Sequence, residues 1–135
     1  MTNPHPLSEL KILIVDDQAE MRGMTRAMLH ELGVKTVTEA RNGKEAFALF
    51  KERPETIDMV LCDWNMPIMS GIELLRVIRA SDGAMPFLMI TARSDLDSIT
   101  EAKSCGVTGY IRKPFSPEQL EAKLKYMLGK KQKVA

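Results

Sequence analysis

Four short, nearly uninterrupted apolar runs each end on a carboxylate, a hydroxyl or an ammonium, and this pattern most constrains what the chain can fold into. Ile12 to Val15 runs into Asp16 and Asp17; Ile57 to Cys62, broken only by Asp58, runs into Asp63; Phe87 to Ile90 ends at Thr91; Val107 to Ile111 is followed by Lys113. Runs of this length bounded by turn signals read as strands buried on both faces, the kind found in parallel sheets. In an open parallel sheet the carboxyl ends of neighbouring strands converge on one crevice, where such folds bind ligands. Three carboxylates, a hydroxyl and an ammonium would meet there.

Between these runs lie amphipathic segments, so strand and helix patterns alternate along the chain. The expected order is strand Lys11 to Asp16, helix Ala19 to Leu32, strand Thr36 to Ala40 and helix Gly43 to Arg53. It continues with strand Ile57 to Cys62, helix Gly71 to Ala80, strand Phe87 to Thr91, helix Leu96 to Cys105, strand Val107 to Ile111 and helix Pro117 to Leu128. Five β/α units imply an α/β fold, a doubly wound parallel sheet with helices on both faces and right-handed crossovers. Ser70 with Glu73, Asn42 with Glu45 and Ser116 with Gln119 fit capping boxes at helix starts. Pro117 suits a first helical position. Met21, Met24, Met28 and Leu32, and likewise Leu120, Leu124 and Met127, are spaced as core-facing stripes.

A chain of 135 residues fits a single domain with its own core. The expected division is a flexible tail over 1–10, one domain over 11–129 and a basic tail over 130–135. With 19 basic and 18 acidic residues the net charge is +1, so bulk electrostatics offer no case for nucleic acid or a membrane as partner. Cys62 and Cys105 fall inside expected elements and form no CxxC or Cys/His pair, which fits buried thiols in a reducing compartment. No apolar stretch approaches bilayer-spanning length, and Met1 to Leu10 has neither a basic n-region nor an apolar h-region. A cytoplasmic location is expected.

Asp16, Asp17 and Asp63 crowded at one sheet edge would raise one another's pKa unless a cation intervenes. All-oxygen ligation by carboxylates, with positions left for water and phosphate oxygens, suits Mg²⁺. The Asp63 carboxylate can act as a nucleophile toward phosphorus and form an acyl phosphate. Thr91, Lys113 and the backbone N–H of Ala92 would then each serve one phosphoryl oxygen. Taken singly, each residue has a commonplace reading: a solvated turn, a β-forming threonine, a surface lysine. Their joint order is what is specific.

From Lys11 to about Leu128 the sequence resembles the receiver domains of two-component response regulators, through "ILIVDD", "LCDWNMPIMSGIELL", "MITAR" and "GYIRKPF". The resemblance, to the chemotaxis type, implies a flavodoxin-like (βα)5 sheet in strand order 2-1-3-4-5. It implies that Asp63 is the phosphoacceptor, with Asp17 and Asp63 as direct Mg²⁺ ligands. Asp16 would hold the metal through water and Asn65 through its backbone carbonyl. Thr91 and Lys113 correspond to the switch hydroxyl and the phosphate-binding lysine, and Tyr110 to the switch aromatic. Lys113-Pro114 corresponds to the family's cis peptide. Pro67 and Gly71 match its turn residues, and Asn65 and Arg93 match positions that tune dephosphorylation.

An Mg²⁺-dependent aspartyl phosphatase would need a general acid beside the nucleophile. Here Asp63-Trp64-Asn65 puts an amide where the D-x-D phosphatases have a second aspartate. A flavodoxin-like nucleotide binder would need a Gly-, Ser- or Thr-rich cradle after the first strand. Asp16-Asp17-Gln18-Ala19-Glu20 would repel phosphate instead. The expected function is therefore a switch, not a turnover enzyme; the resemblance implies that it promotes its own phosphotransfer and autodephosphorylation. Its implied partners are a sensor histidine kinase or histidine phosphotransfer protein and a downstream target protein. The target would meet the surface of the fourth helix, fifth strand and fifth helix, around Ile99, Tyr110 and Lys123. A receiver excised from a longer response regulator is the alternative. Lys130, Lys131 and Lys133 read as a solvated helix end complementing the macrodipole.

Overall fold

In a computed structural model, which describes residues 7–92 and 95–134, five parallel strands form one sheet in the order β2-β1-β3-β4-β5. The elements are β1 (Lys11–Val15), α1 (Ala19–Glu31), β2 (Thr36–Ala40), α2 (Gly43–Glu52), β3 (Met59–Asp63) and α3 (Gly71–Ser81). They continue with β4 (Phe87–Thr91), α4 (Leu96–Ser104), β5 (Gly109–Arg112) and α5 (Pro117–Val134). The expected doubly wound α/β sheet and its strand order are what the chain forms.

Alternation along the strands divides the core between the two sheet faces. Ile12, Ile14, Met59, Leu61, Leu88 and Ile90 pack with Leu29 of α1 and with Leu120, Leu124 and Met127 of α5. Leu13, Val15, Val60, Cys62, Phe87 and Met89 face the other way, onto Ala46 and Phe50 of α2, Leu74, Leu75 and Ile78 of α3, and Ala102 of α4. Both faces are covered, which is why the strands read as continuous apolar runs. The α5 stripe is core as expected: Leu120, Leu124 and Met127 are fully buried, each burial worth about 1.5–3 kcal/mol.

The α1 stripe differs from expectation. Thr25 and Leu29 are its buried residues, Met28 and Leu32 pack on the core only partly, and Met24 is 55% exposed. On a 3.6-residue helix Met24 stands about 100° from Thr25, outside the buried arc. Met21, Met24 and Met28 instead line a surface groove with Lys113, Pro114 and Phe115.

Several element limits shift for identifiable reasons. The start of β3 moves to Met59, because Asp58 exchanges bonds with the Lys11 backbone, its N–H donating to the Lys11 carbonyl (2.7 Å) and its carboxylate accepting the Lys11 N–H (3.0 Å). The expected start of β5 at Val107 moves to Gly109. Gly106 at φ 90° ends α4, and the Val107 N–H donates to the Ala102 carbonyl in a helix-closing turn, so it is not available to the sheet. The last helix runs on to Val134. Two expected capping boxes are reciprocal, at Ser70/Glu73 and Ser116/Gln119. At α2, Asn42 accepts the Glu45 N–H, but the Glu45 carboxylate takes the N–H of Arg41 instead. Among the described residues no helix is long and apolar enough to cross a membrane.

Candidate functional site

The carboxyl ends of β1, β3, β4 and β5 place the singled-out side chains along one edge. Asp16 follows β1 directly and is held at three atoms: its N–H donates to the Ala40 carbonyl (3.1 Å), its Oδ1 accepts the Gln18 N–H (2.9 Å) and its carbonyl accepts from Arg22 Nη1 (2.7 Å). Asp63 is the last residue of β3, paired in register with Ile90 of β4, and only 7% exposed. Carboxylate oxygens of Asp16, Asp17 and Asp63 all lie within 4.8 Å of one another. Asp17 is the exposed member of the three.

A cation from the chain enters this cluster. Lys113 Nζ lies 2.7 Å from Asp63 Oδ1. The Lys113-Pro114 peptide is cis, as the resemblance implied, and the Lys113 N–H donates to the Thr91 carbonyl (2.8 Å). Thr91 ends β4 with 1% exposure, and Ala92 follows it at the surface. Asn65 is exposed two residues beyond Asp63. Arg93 lies outside the described residues, as do the tail over 1–6 and the side chains of Lys130, Lys131 and Lys133.

Electrostatically the site is a concentrated anion. Burial pushes the Asp16 carboxyl above its ordinary range; the Gln18 N–H opposes this, Asp63 adds to it, Lys113 lowers it again and Asp17 raises it. The Cys62 thiol, fully buried behind Asp63, is pushed up chiefly by burial and further by Asp63 and Asp16. It is an inert structural group at neutral pH. The donor set is all oxygen, compact and open on the Asp17 side, which fits a hard divalent cation such as Mg²⁺.

Behind Asp63 the backbone is packed without slack. A Cβ at Gly71 would sit 2.5 Å from the Asp63 carbonyl oxygen and 3.0 Å from Trp64 Cα, so any other residue at this helix start must displace the acceptor's backbone. Between them Ile68 adopts φ 72° with a side chain 75% exposed. That conformation is rare for a β-branched residue, and the turn reading of Pro67 and Gly71 did not include it. Arg22 is a further residue of this edge, outside the expected set. The sequence carries a signal for it: a cation one turn into the helix that follows Asp16-Asp17, with Glu39 the only acid in β2.

Tyr110 stands apart from the acidic edge. It is half-buried on β5, packs on the α2–α4 side of the core and lines a groove of about 780 Å³ with Ile99, Lys103, Lys123 and Tyr126. The three residues expected on one outer surface, Ile99, Tyr110 and Lys123, thus share a groove between α4, β5 and α5.

Comparison with known proteins agrees with this geometry. Residues 12–125 match the family described as the response regulator receiver domain. The chemotaxis protein CheY-3 of Vibrio cholerae is 44% identical over 117 residues, covering 85% of this chain and 88% of that protein. CheY of Pseudomonas aeruginosa is 41% identical over 117 residues, covering 85% and 93%. Among solved structures, CheY4 of Vibrio cholerae superposes with a TM-score of 0.79 at 33% identity, covering 87% of this chain and 98% of that one. A receiver domain protein from Clostridium thermocellum gives 0.85 at 28% identity, covering 93% and 99%. With the sheet order, the acidic edge and these matches in agreement, the chain belongs to the response regulator receiver domain family and is of the chemotaxis type, a switch of two-component signalling.

Proposed function

We propose that Asp63 is the phosphoacceptor and that the unit carrying the switch spans residues 11–129, flanked by tails over 1–10 and 130–135. The observation that carries this reading is the Lys113 ammonium 2.7 Å from Asp63 Oδ1 inside a cluster of three carboxylates. A buried carboxylate that must meet a phosphoryl anion needs cationic support on both sides, and Lys113 supplies one of them. The other is Mg²⁺, which receiver domains generally use at an acidic pocket. Asp17, Asp63 and the Asn65 backbone carbonyl would hold it directly, and Asp16 through water. When bound, it offsets charge repulsion and stabilises phosphoryl oxygens.

In the transfer step an Asp63 oxygen attacks phosphorus, an acyl phosphate P–O bond forms, and the P–N bond to a donor histidine breaks with its electron pair returning to the imidazole. Lys113, the Thr91 hydroxyl and the Ala92 N–H each take one phosphoryl oxygen. Asn65 and Arg93 tune the later attack of water, and the chain itself promotes both phosphotransfer and autodephosphorylation. Drawing Thr91 toward the phosphoryl group frees volume that Tyr110 fills, which changes the groove it lines with Ile99 and Lys123. A sensor histidine kinase or histidine phosphotransfer protein is the donor. A downstream target protein reads the α4, β5 and α5 surface. The setting is the cytoplasm, with no direct nucleic acid binding.

The test is intact-mass measurement after incubation with a phosphorylated histidine kinase and Mg²⁺. The unmodified chain is expected to gain one phosphoryl group and Asp63→Asn none; equal labelling of the two would remove the assignment. EDTA is expected to abolish the gain.

A further inference from the structure

Arg22 makes two bonds in different directions. Its Nη1 donates to the Asp16 carbonyl at 2.7 Å and its Nε to Glu39 Oε1 at 2.9 Å, so one guanidinium joins the β1–α1 loop to β2. The second oxygen of Glu39 is taken by Arg26 Nη1 at 2.7 Å, which steadies the anchor. Arg22 is the enclosed member of the pair, with 13% of its side chain exposed against 42% for Arg26. The loop's other end is closed by the first backbone bond of α1, from the N–H at position 22 to the Gln18 carbonyl (3.0 Å), so the guanidinium acts on the Asp16 side of Asp17. Asp17 is thereby set in place by its neighbours' backbone.

We propose that Arg22 is a positioning residue of the metal site, fixing the loop that presents Asp16 and Asp17 to the cation. The inference rests on the Mg²⁺ reading above. A lysine keeps the charge but cannot direct two N–H groups along two fixed axes, so it does not replace this fork. Mg²⁺ demands near-ideal octahedral geometry, whereas Ca²⁺ accepts irregular and longer ligation. A loop released from Arg22 therefore loses Mg²⁺ preferentially. A general loss of stability would weaken both ions together.

Mg²⁺ and, separately, Ca²⁺ are titrated into the unphosphorylated full chain, Arg22→Lys, Glu39→Gln and Arg26→Lys. Binding is followed by fluorescence of Trp64, the single tryptophan and next to Asp63, and checked by calorimetry. Arg22→Lys is expected to bind Mg²⁺ about 10- to 100-fold more weakly, with a smaller loss for Ca²⁺. Glu39→Gln, which removes the anchoring charge and leaves one acceptor oxygen for Arg22 and Arg26 to share, is expected to fall between Arg22→Lys and the unmodified chain, and Arg26→Lys to keep the original affinity. Unchanged Mg²⁺ affinity in Arg22→Lys overturns the proposal, as does an equal loss for both ions or an equal loss in Arg26→Lys. Should Arg22→Lys not fold, Glu39→Gln decides alone, by the same shift in Mg²⁺ against Ca²⁺ preference. An unmodified chain that binds no Mg²⁺ overturns the metal reading itself, a result distinct from normal binding that Arg22→Lys leaves intact.

Discussion

Asp16 is buried beside two other carboxylates, and without a divalent cation that placement costs stability. Its folded-state pKa lies above the ordinary 3.8, chiefly through burial, so in the window between the two values the native state holds more protons than the unfolded chain. Stability is then undiminished below 3.8, falls as pH rises to the raised value, and stays reduced above it. Asp16→Asn in EDTA is accordingly expected to melt at a higher temperature than the unmodified chain at neutral pH, with the gap closing at low pH. Thermal melts across pH check this; a gap that widened on acidification would contradict it. Ile68 stores strain of another kind, since its φ of 72° places a branched Cβ against the backbone while its side chain is mostly in water. Ile68→Asn is expected to stabilise the fold by about 1 kcal/mol in denaturant titrations. Asp16 was legible as a site residue because a double acid closing an apolar run is unusual. The strain at Ile68 was not legible, because backbone dihedrals in a loop leave no periodicity to read.

The start of α3 joins helix capping to the acceptor strand. Ser70 and Glu73 satisfy each other's backbone N–H groups, and one residue later Gly71 lies against the Asp63 carbonyl. These neighbours separate two effects. Ser70→Ala is expected to cost about 1 kcal/mol and leave phosphorylation of Asp63 intact. Gly71→Ala must push the Asp63 backbone aside, with an expected cost of about 1–3 kcal/mol and slower phosphorylation of the folded fraction. Denaturation curves beside intact-mass time courses distinguish the two; a Gly71→Ala chain phosphorylated at the original rate would show that the acceptor tolerates displacement. The same scale explains what the sequence made visible. Burial on both faces leaves β1, β3 and β4 as unbroken apolar words, and the convergence of their ends followed from topology. The face of α1 is not legible in the sequence, because methionine lines the Lys113 groove as well as the core, while Thr25, a polar letter, takes the buried position. Nor is the start of β5, because Val107 is apolar in either role, and only the turn at Gly106 decides that its N–H closes α4.

At the scale of the whole molecule, the fold and the site are coupled through charge, since the sheet that buries Asp16 and Asp63 also sets three carboxylates against one ammonium. Any ligand that binds only the native state stabilises all of it, by about 1.4 kcal/mol at tenfold excess over Kd and about 2.7 kcal/mol at a hundredfold. For a domain of this size the former corresponds to a rise in melting temperature of roughly 3–10 °C. Mg²⁺ is therefore expected to raise the melting temperature of the unmodified chain and to do little for Asp17→Asn. The Asp16→Asn chain makes the coupling visible, because its two effects have opposite signs: a higher melting temperature than the unmodified chain in EDTA, and a smaller gain on adding Mg²⁺. Loss of a buried charge relieves the empty site and impairs the filled one. Differential scanning calorimetry of the three chains, with and without Mg²⁺, reads both terms at once. If Asp16→Asn gained as much from Mg²⁺ as the unmodified chain does, Asp16 would play no part in holding the ion, and its cost to the apo fold would need another explanation.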